Sequence, residues 1–310
     1  MNRIRKNLFI FFTIFSGVLW GIISLFLKPL VSSGLSSVQV NFLRGLFSSI
    51  FMFIFLLIKD KKLLKISLKD IWMFLGTGVL SFTFFSLCYF YTIIESGSCI
   101  AVILLYTSPI FVLLLSFFLF KEKFSMLKVL ALVFTFTGCI LVSGLGFNSV
   151  ISWKGFAVGF CSGFGYALYS IFSRYALKKY SPFTITFYTF VFSTLSILPF
   201  CKVQNIMPLL SVKVLFLALG ISFVCTCLPY IFYTIGLQGL ETGKAAIFVT
   251  VEPLIACIAG IAVFGEALSF VKAAGIILIL VSVVLCSLPA KVKTDDEAKT
   301  DSNNLNEKNS

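Results

Sequence analysis

The side chain with the clearest capacity for chemistry is Glu252, which lies near the middle of a long apolar run and directly precedes Pro253. A carboxylate at that depth is energetically expensive and usually faces a polar cavity or a partner. It can bind a cationic or amino group, or it can take up and release a proton. The alternative is a neutral or hydrogen-bonded carboxyl group that only tunes helix packing. We expect a functional role and leave direct ligand contact open.

Two prolines, Pro109 and Pro253, occupy equivalent positions in the middle of two such runs. Proline removes one backbone hydrogen bond and opposes the preceding carbonyl, so it frees polar backbone inside a helix. Their matched placement predicts hinges or cavity-lining kinks. A static kink is the alternative.

A set of aromatic residues and serines lies at similar depth in the apolar runs. Each aromatic ring has an apolar body and one polar atom, which suits a small amphiphilic ligand. Any single member could instead be a core or lipid-facing residue, and a serine can bond its own helix. The candidate ligand-binding or coupling residues, with Glu252, are Trp20, Ser24, Tyr89, Tyr106, Ser108, Tyr166, Tyr169 and Tyr233.

Three further charged residues have structural interpretations. Arg44 lies about five residues into an apolar run, where we expect it to extend toward lipid headgroups, with attraction of anionic groups as the alternative. Glu122 and Glu266 fall just past two runs, and we expect loop ion pairs or caps of the helices that follow.

Several function classes find no support in the sequence. Histidine is absent, and the nine cysteines show no metal-ligand spacing. There is no glycine-rich phosphate loop followed by Lys-Ser/Thr. We therefore expect no enzyme, no metal site, no cofactor and no ATP-driven pump.

The elements that position these residues must be membrane helices. The 310 residues are 59% hydrophobic and 12% charged, whereas a soluble domain has about 45–50% apolar and 25% charged residues. The net charge of +13 does not indicate a nucleic-acid partner, because no basic face on a soluble fold is present. We expect an all-α polytopic membrane protein whose partners are the lipid bilayer and the small amphiphilic ligand that the aromatic residues suit.

About 20 apolar residues in a helix span a bilayer, and the sequence contains ten such runs. They become spans 1 to 10, predicted at 8–28, 39–58, 71–94, 98–120, 126–146, 153–174, 183–200, 212–236, 243–264 and 270–289. With the N-terminus inside, 19 of 25 basic residues fall on the inner side and five on the outer side. This bias predicts a multi-pass cell-membrane protein with both termini cytoplasmic, including a disordered tail at 290–310.

The two halves of the chain resemble each other. Residues 97–143 align without gaps to 241–287, pairing Pro109 with Pro253 and Glu122 with Glu266. A second match pairs residues 16–28 with 162–174. Five spans per copy is an odd number, so the second copy must enter the membrane in the opposite orientation. We expect two inverted five-helix repeats, 1–146 and 150–289, with a ligand site at the midplane between them.

These features resemble a known family. Trp20-Gly21 in span 1, Arg44 in span 2, Pro109…Phe120-Lys121-Glu122 and Glu252-Pro253…Phe264-Gly265-Glu266 are similar to the EamA-domain branch of the drug/metabolite transporter superfamily. Two positions depart from the pattern: Lys121 stands where the family often has Gly, and Phe190 where Arg44 would repeat.

The resemblance implies a secondary transporter that works by alternating access, most readily for export of an amino acid or similar amphiphile. Uptake of a cationic nutrient and a non-transporting membrane scaffold are the alternatives. Proton coupling through Glu252 is compatible with the sequence, which does not indicate an oligomeric state.

Overall fold

The computed structural model describes residues 3–123, 125–143, 153–265 and 269–288, except for the side chains of residues 3, 98 and 99. Ten helical segments in this part of the chain are long and apolar enough to cross a membrane. They are Ile4–Ser32, Ser37–Lys59, Leu68–Ser96, Ile100–Phe120, Met126–Ser143, Trp153–Ala176, Pro182–Phe200, Val212–Gly239, Thr242–Phe264 and Phe270–Ser287. The all-α fold and the ten predicted spans are confirmed. The predicted tail at 290–310 lies outside the described residues.

Serine side chains begin four of these spans. The hydroxyls of Ser36, Ser181, Ser211 and Ser269 each accept a hydrogen bond from the backbone N–H three residues later. A serine cap satisfies one of the free N–H groups at a helix start. These caps fix where spans 2, 7, 8 and 10 enter the bundle.

The two halves of the bundle interlock. Span 1 packs on spans 8 and 9, and span 6 packs on the equivalent spans 3 and 4. Span 2 packs on span 7, and span 5 on span 10. Each half is therefore completed by helices of the other half, as two related repeats would require. The outer faces keep exposed apolar side chains such as Phe118 and Phe216, as expected against lipid.

The bundle has two ends. We call the end that carries residues 59–68, 121–123, 177–181 and 240–241 the Glu122 end. The end that carries residues 33–36, 97–99, 201–211 and 265 is the Ser37 end, named for the first residue of span 2. The candidate site lies between them.

Candidate functional site

Spans 4 and 9 are broken in the middle at equivalent positions. Span 4 consists of helices Ser98–Leu105 and Ser108–Phe120, and span 9 of Thr242–Phe248, a short tight turn, and Glu252–Phe264. Pro109 and Pro253 lie in the first turn of the second helix in each case, where a missing N–H costs least. The kinks expected at both prolines are present, and a hinge function stays a prediction.

Glycines bring the neighbouring spans against these breaks. A Cβ atom on Gly17 would lie 2.6 Å from the Val249 carbonyl oxygen, and one on Gly21 would lie 2.7 Å from that of Glu252. At the equivalent place in the other half, a Cβ on Gly163 would lie 2.6 Å from the Leu104 carbonyl oxygen. Spans 1 and 6 therefore approach the backbone of the breaks as only glycine allows.

Span 1 is also broken, which the sequence did not predict. Its helices are Arg3–Gly21 and Ser24–Ser32, and the turn between them follows the glycine that touches span 9. Spans 3 and 8 contain π-helical turns at Gly76–Thr83 and Phe223–Cys227. Such turns occur often at functional sites.

Three adjoining cavities meet at these breaks. Cavity 1 has a volume of about 20 Å³, cavity 2 about 310 Å³ and cavity 3 about 150 Å³. Trp20 and Glu252 line all three. A carboxylate and an indole thus lie at the junction of a continuous polar and aromatic lining.

The structure brings every predicted candidate to this junction. Cavity 1 is lined by Tyr106, Ser108, Pro109, Tyr166, Tyr169 and Tyr233, as well as by Trp20 and Glu252. Ser24, Tyr89, Tyr106 and Pro253 line cavity 2, and Tyr89 and Tyr166 line cavity 3. The predicted residues therefore all line these adjoining cavities, and their role in binding stays a prediction.

Four of the tyrosines that line these cavities fall into two groups by the contacts of their hydroxyls. Tyr169 pairs with Thr234 at 2.7 Å, and Tyr233 pairs with Ser170 at 2.7 Å, so these hydroxyls fix spans 6 and 8 together. In the described part of the chain, the hydroxyls of Tyr166 and Tyr230 have no hydrogen-bond partner. These two are the better placed to bond a ligand.

Tyr230 is a cavity residue that sequence reasoning missed. It lines cavities 1 and 3, and its ring lies 5.1 Å from Trp20 and 4.8 Å from Tyr169, between ring centroids. A signal was available, because residues three apart share one face of a helix and Tyr230 precedes Tyr233 by three.

Arg44 does not extend to the membrane surface, so that expectation was wrong. Its Nε donates to the Thr226 hydroxyl at 2.9 Å, and its guanidinium lies 5.7 Å from the Phe82 ring centroid. Arg44 lines cavity 3. The π-helical turn of span 8 offers the Thr226 hydroxyl, and this tertiary contact outweighs the pull of headgroups.

The cavities extend toward the Ser37 end. Cavity 3 reaches Ser37, and cavity 2 reaches Ser143 and Lys272 at the last turn of span 5 and the first turn of span 10. In the opposite direction, the lining of cavity 1 stops at Val112 and Ala246. The site is therefore reached from the Ser37 end and covered at the Glu122 end.

Glu122 closes the covered end. Its carboxylate accepts hydrogen bonds from the backbone N–H groups of Thr242 at 2.7 Å and Gly243 at 3.1 Å. The expected cap is present, but Glu122 caps span 9 rather than span 5, because the fold brings the start of span 9 beside the end of span 4. Glu266 lies outside the described residues.

An ion pair supports this closure. Lys128 Nζ lies 2.6 Å from a Glu241 carboxylate oxygen, and Lys244 lies 3.8 Å from the same oxygen. Partial burial disfavours the charged Glu241 carboxylate, but the hydrogen bond from Lys128 and both lysine charges outweigh it and hold the pKa of Glu241 below its ordinary value. Arg174 also donates to the Leu237 and Leu240 carbonyls.

Comparison with known proteins identifies the chain. The model of the EamA-like transporter family matches residues 7–144 and again residues 153–288. The chain belongs to the EamA-like transporter family. The two matches cover both halves, so the protein is a multi-pass membrane transporter rather than an enzyme.

Relatives and a solved structure agree with the family match. An uncharacterized transporter of Archaeoglobus fulgidus is 28% identical, covering 88% of this chain and 93% of the relative. The uncharacterized transporter YxxF of Bacillus subtilis is 24% identical, covering 91% and 90%. A crystal structure with 15% identity superposes with a TM-score of 0.76, covering 94% of this chain and 99% of that one, and shows the same fold.

Proposed function

We propose that this EamA-like protein is a secondary transporter that moves a small amphiphilic metabolite through the cavities between its two halves. The two five-helix units, 1–146 and 150–289, act as inverted repeats that alternate between two arrangements. The observation that carries the proposal is the position of Glu252, at the break of span 9 and in the lining of all three cavities.

The described arrangement is one of the two states that alternating access needs. The cavities extend to the Ser37 end, while Glu122 and the Lys128–Glu241 pair cover the other end. The distribution of basic residues supports a cell-membrane protein with the Ser37 end outside and both termini in the cytoplasm. The described state then opens outward, and the cytoplasmic side is closed.

The cargo that fits is an amino acid or a similar amphiphile, and the direction is export. The aromatic walls support an apolar or aromatic group, and Glu252 supports a cationic amino group or a transported proton. The direction follows the resemblance to family members that export small metabolites. No ATP is required, since the gradient of the cargo or of protons supplies the driving force.

Flux from proteoliposomes tests this function. Purified protein is reconstituted, the liposomes are loaded with a panel of labelled amino acids, amines and sugars, and efflux is compared with that from protein-free liposomes. We expect efflux of at least one amino acid. Glu252→Gln should alter its rate or its pH dependence while the thermal midpoint of the purified protein holds.

The matched control for this variant is Asp60→Asn. Asp60 is exposed, and among the described residues its carboxylate accepts a hydrogen bond from the N–H of Lys62 alone, at 2.8 Å, so its replacement should leave flux unchanged. If no compound leaves the proteoliposomes faster than it leaves protein-free liposomes, the membrane-scaffold alternative replaces the proposed transport function.

A further inference from the structure

Arg44 has donor capacity that the protein does not use. A guanidinium carries five N–H groups. Here one donates to the Thr226 hydroxyl at 2.9 Å, and another makes a long contact of 3.4 Å with the side-chain oxygen Oδ1 of Asn41. Among the described residues, no carboxylate lies within ion-pair distance of Arg44. Arg44 therefore lines cavity 3 without a direct ion pair, and Glu252 is a more distant opposite charge in the same lining.

Asn41 adds a second unused donor beside it. Asn41 is 2% exposed and lines cavity 3, and its Nδ2 has no hydrogen-bond partner. Because its side-chain oxygen faces Arg44, the two residues present donors and no free acceptor. A buried donor left unpaired is energetically unfavourable, so a partner is expected during function.

The packing of the helices does not explain the charge. The equivalent of Arg44 in the second half is Phe190, which is fully buried. Its ring centroid lies 6.2 Å from that of Phe82 and 5.4 Å from that of Tyr230. In the second half, an apolar side chain thus fills the position that Arg44 occupies in the first half. Arg44 contributes something that this packing position does not demand.

The opposite charge lines the same cavity. Glu252 comes from span 9 and Arg44 from span 2, with Trp20, Tyr166 and Tyr230 also in the lining of cavity 3. The equivalent of Glu252 in the first half is the uncharged Ser108. Each half therefore supplies one charge, of opposite sign, to a single aromatic cavity.

We infer that Arg44 and Asn41 form an anion subsite in cavity 3, which binds the carboxylate of a cargo whose cationic group binds Glu252. Arginine suits this role because its planar fork matches a carboxylate with two parallel hydrogen bonds. The inference rests on the proposed transport function and restricts it to dipolar solutes. Compounds that carry only one of the two charges bind more weakly.

Matched sets of compounds test this restriction without any variant. One set is leucine, isoamylamine and 4-methylpentanoate, and the other is phenylalanine, phenethylamine and 3-phenylpropionate. Binding is followed by the thermal midpoint of purified protein and by competition with efflux. At least one amino acid should bind about 10-fold or more tightly than both of its singly charged analogues, as expected for a hydrogen bond to a charged group.

Variants then assign the two ends of the cargo. Arg44→Gln should lower the affinity for the amino acid to about that for its amine, and leave the affinity for the amine unchanged. Glu252→Gln should lower the affinity for the amino acid to about that for its carboxylate analogue, and leave the affinity for the carboxylate analogue unchanged. Arg44→Lys keeps the charge without the fork and should give an intermediate affinity, which also provides a second folded variant.

The outcomes separate the two proposals. If a compound is transported but the amine binds as tightly as the amino acid, the anion subsite is wrong and transport stands. If nothing in either set or in the wider panel is transported, the proposed function fails and the subsite with it. A lipid headgroup is the other source of an anion: an effect of Arg44→Gln confined to vesicles with phosphatidylglycerol, and absent in phosphatidylcholine, overturns a solute subsite.

Discussion

The closure at the Glu122 end allows a quantitative prediction for Glu122→Gln. The carboxylate accepts two backbone hydrogen bonds from the start of span 9, at 2.7 and 3.1 Å. The glutamine side chain keeps one acceptor oxygen, which can bond only one of the two backbone N–H groups. Its NH₂ group then faces the remaining N–H, and two donors cannot form a hydrogen bond. The variant therefore loses one hydrogen bond to a charged group, and the remaining bond becomes neutral.

The size of the effect follows from these contacts. A hydrogen bond to a charged group contributes about 1.5–3 kcal/mol, and we use the lower value because Glu122 is only partly buried. A loss of about 1.5 kcal/mol in one of two exchanging states shifts their ratio about tenfold. The population open at the Glu122 end should rise by that factor.

Thiol labelling measures this population. Ala246 lines cavity 1 on the side of the Glu122 end, so Ala246→Cys places a reporter beneath the closure. A bulky, membrane-impermeant maleimide is applied to inside-out vesicles, and peptide mass spectrometry separates the introduced thiol from the native ones. Labelling should be about tenfold faster with Glu122→Gln than without it.

Asp60→Asn in the same background is the control, because it removes a carboxylate at the same end that bonds only its own loop. Equal labelling rates for Glu122→Gln and Asp60→Asn would refute the conclusion that Glu122 holds this end shut.

Three further predictions concern the contacts around the site. Gly21→Ala should lower stability by about 1–3 kcal/mol, because its Cβ would lie 2.5 Å from Ile255 Cβ; an unchanged thermal midpoint would contradict the close contact of spans 1 and 9. The Glu241 pKa is held below its ordinary value of 4.5, so its contribution to closure is present above pH 4.5 and is lost as the pH falls through the lowered pKa. Thiol labelling should rise over that acidic range, and Glu241→Gln should abolish the rise. Asp70 is 5% exposed and accepts bonds from Lys179 and Tyr180, both at 2.7 Å, whereas Lys179 is exposed. Asp70→Asn should therefore reduce the thermal midpoint more than Lys179→Gln does, and the reverse order would be incompatible with these contacts.

The ten spans could be predicted because a helix needs about 20 apolar residues to cross a bilayer, and runs of that length can be read directly from the sequence. The kinks at Pro109 and Pro253 could be predicted because proline acts locally. The break after Gly21 and the π-helical turns could not, because contacts with distant spans stabilise them.

The same distinction applies to the site. Depth along a helix can be counted from the sequence, which is why Glu252, Trp20 and the predicted tyrosines all line the cavities. The direction in which a side chain leaves the helix cannot be counted in this way. Arg44 was placed at the right depth and on the wrong side, because its partner Thr226 comes from span 8.

The interlocked packing of the two halves bears on how a site of this kind can arise. Two identical five-helix units that combine through a twofold axis would place every charge in the cavity twice, so an arginine would face an arginine and a glutamate a glutamate. A single chain that contains both units is free of this constraint. Here the first unit carries Arg44 where the second has Phe190, and the second carries Glu252 where the first has Ser108. Joining the units into one polypeptide thus allows a cavity with a positive and a negative end, and a direction in which a dipolar molecule must lie.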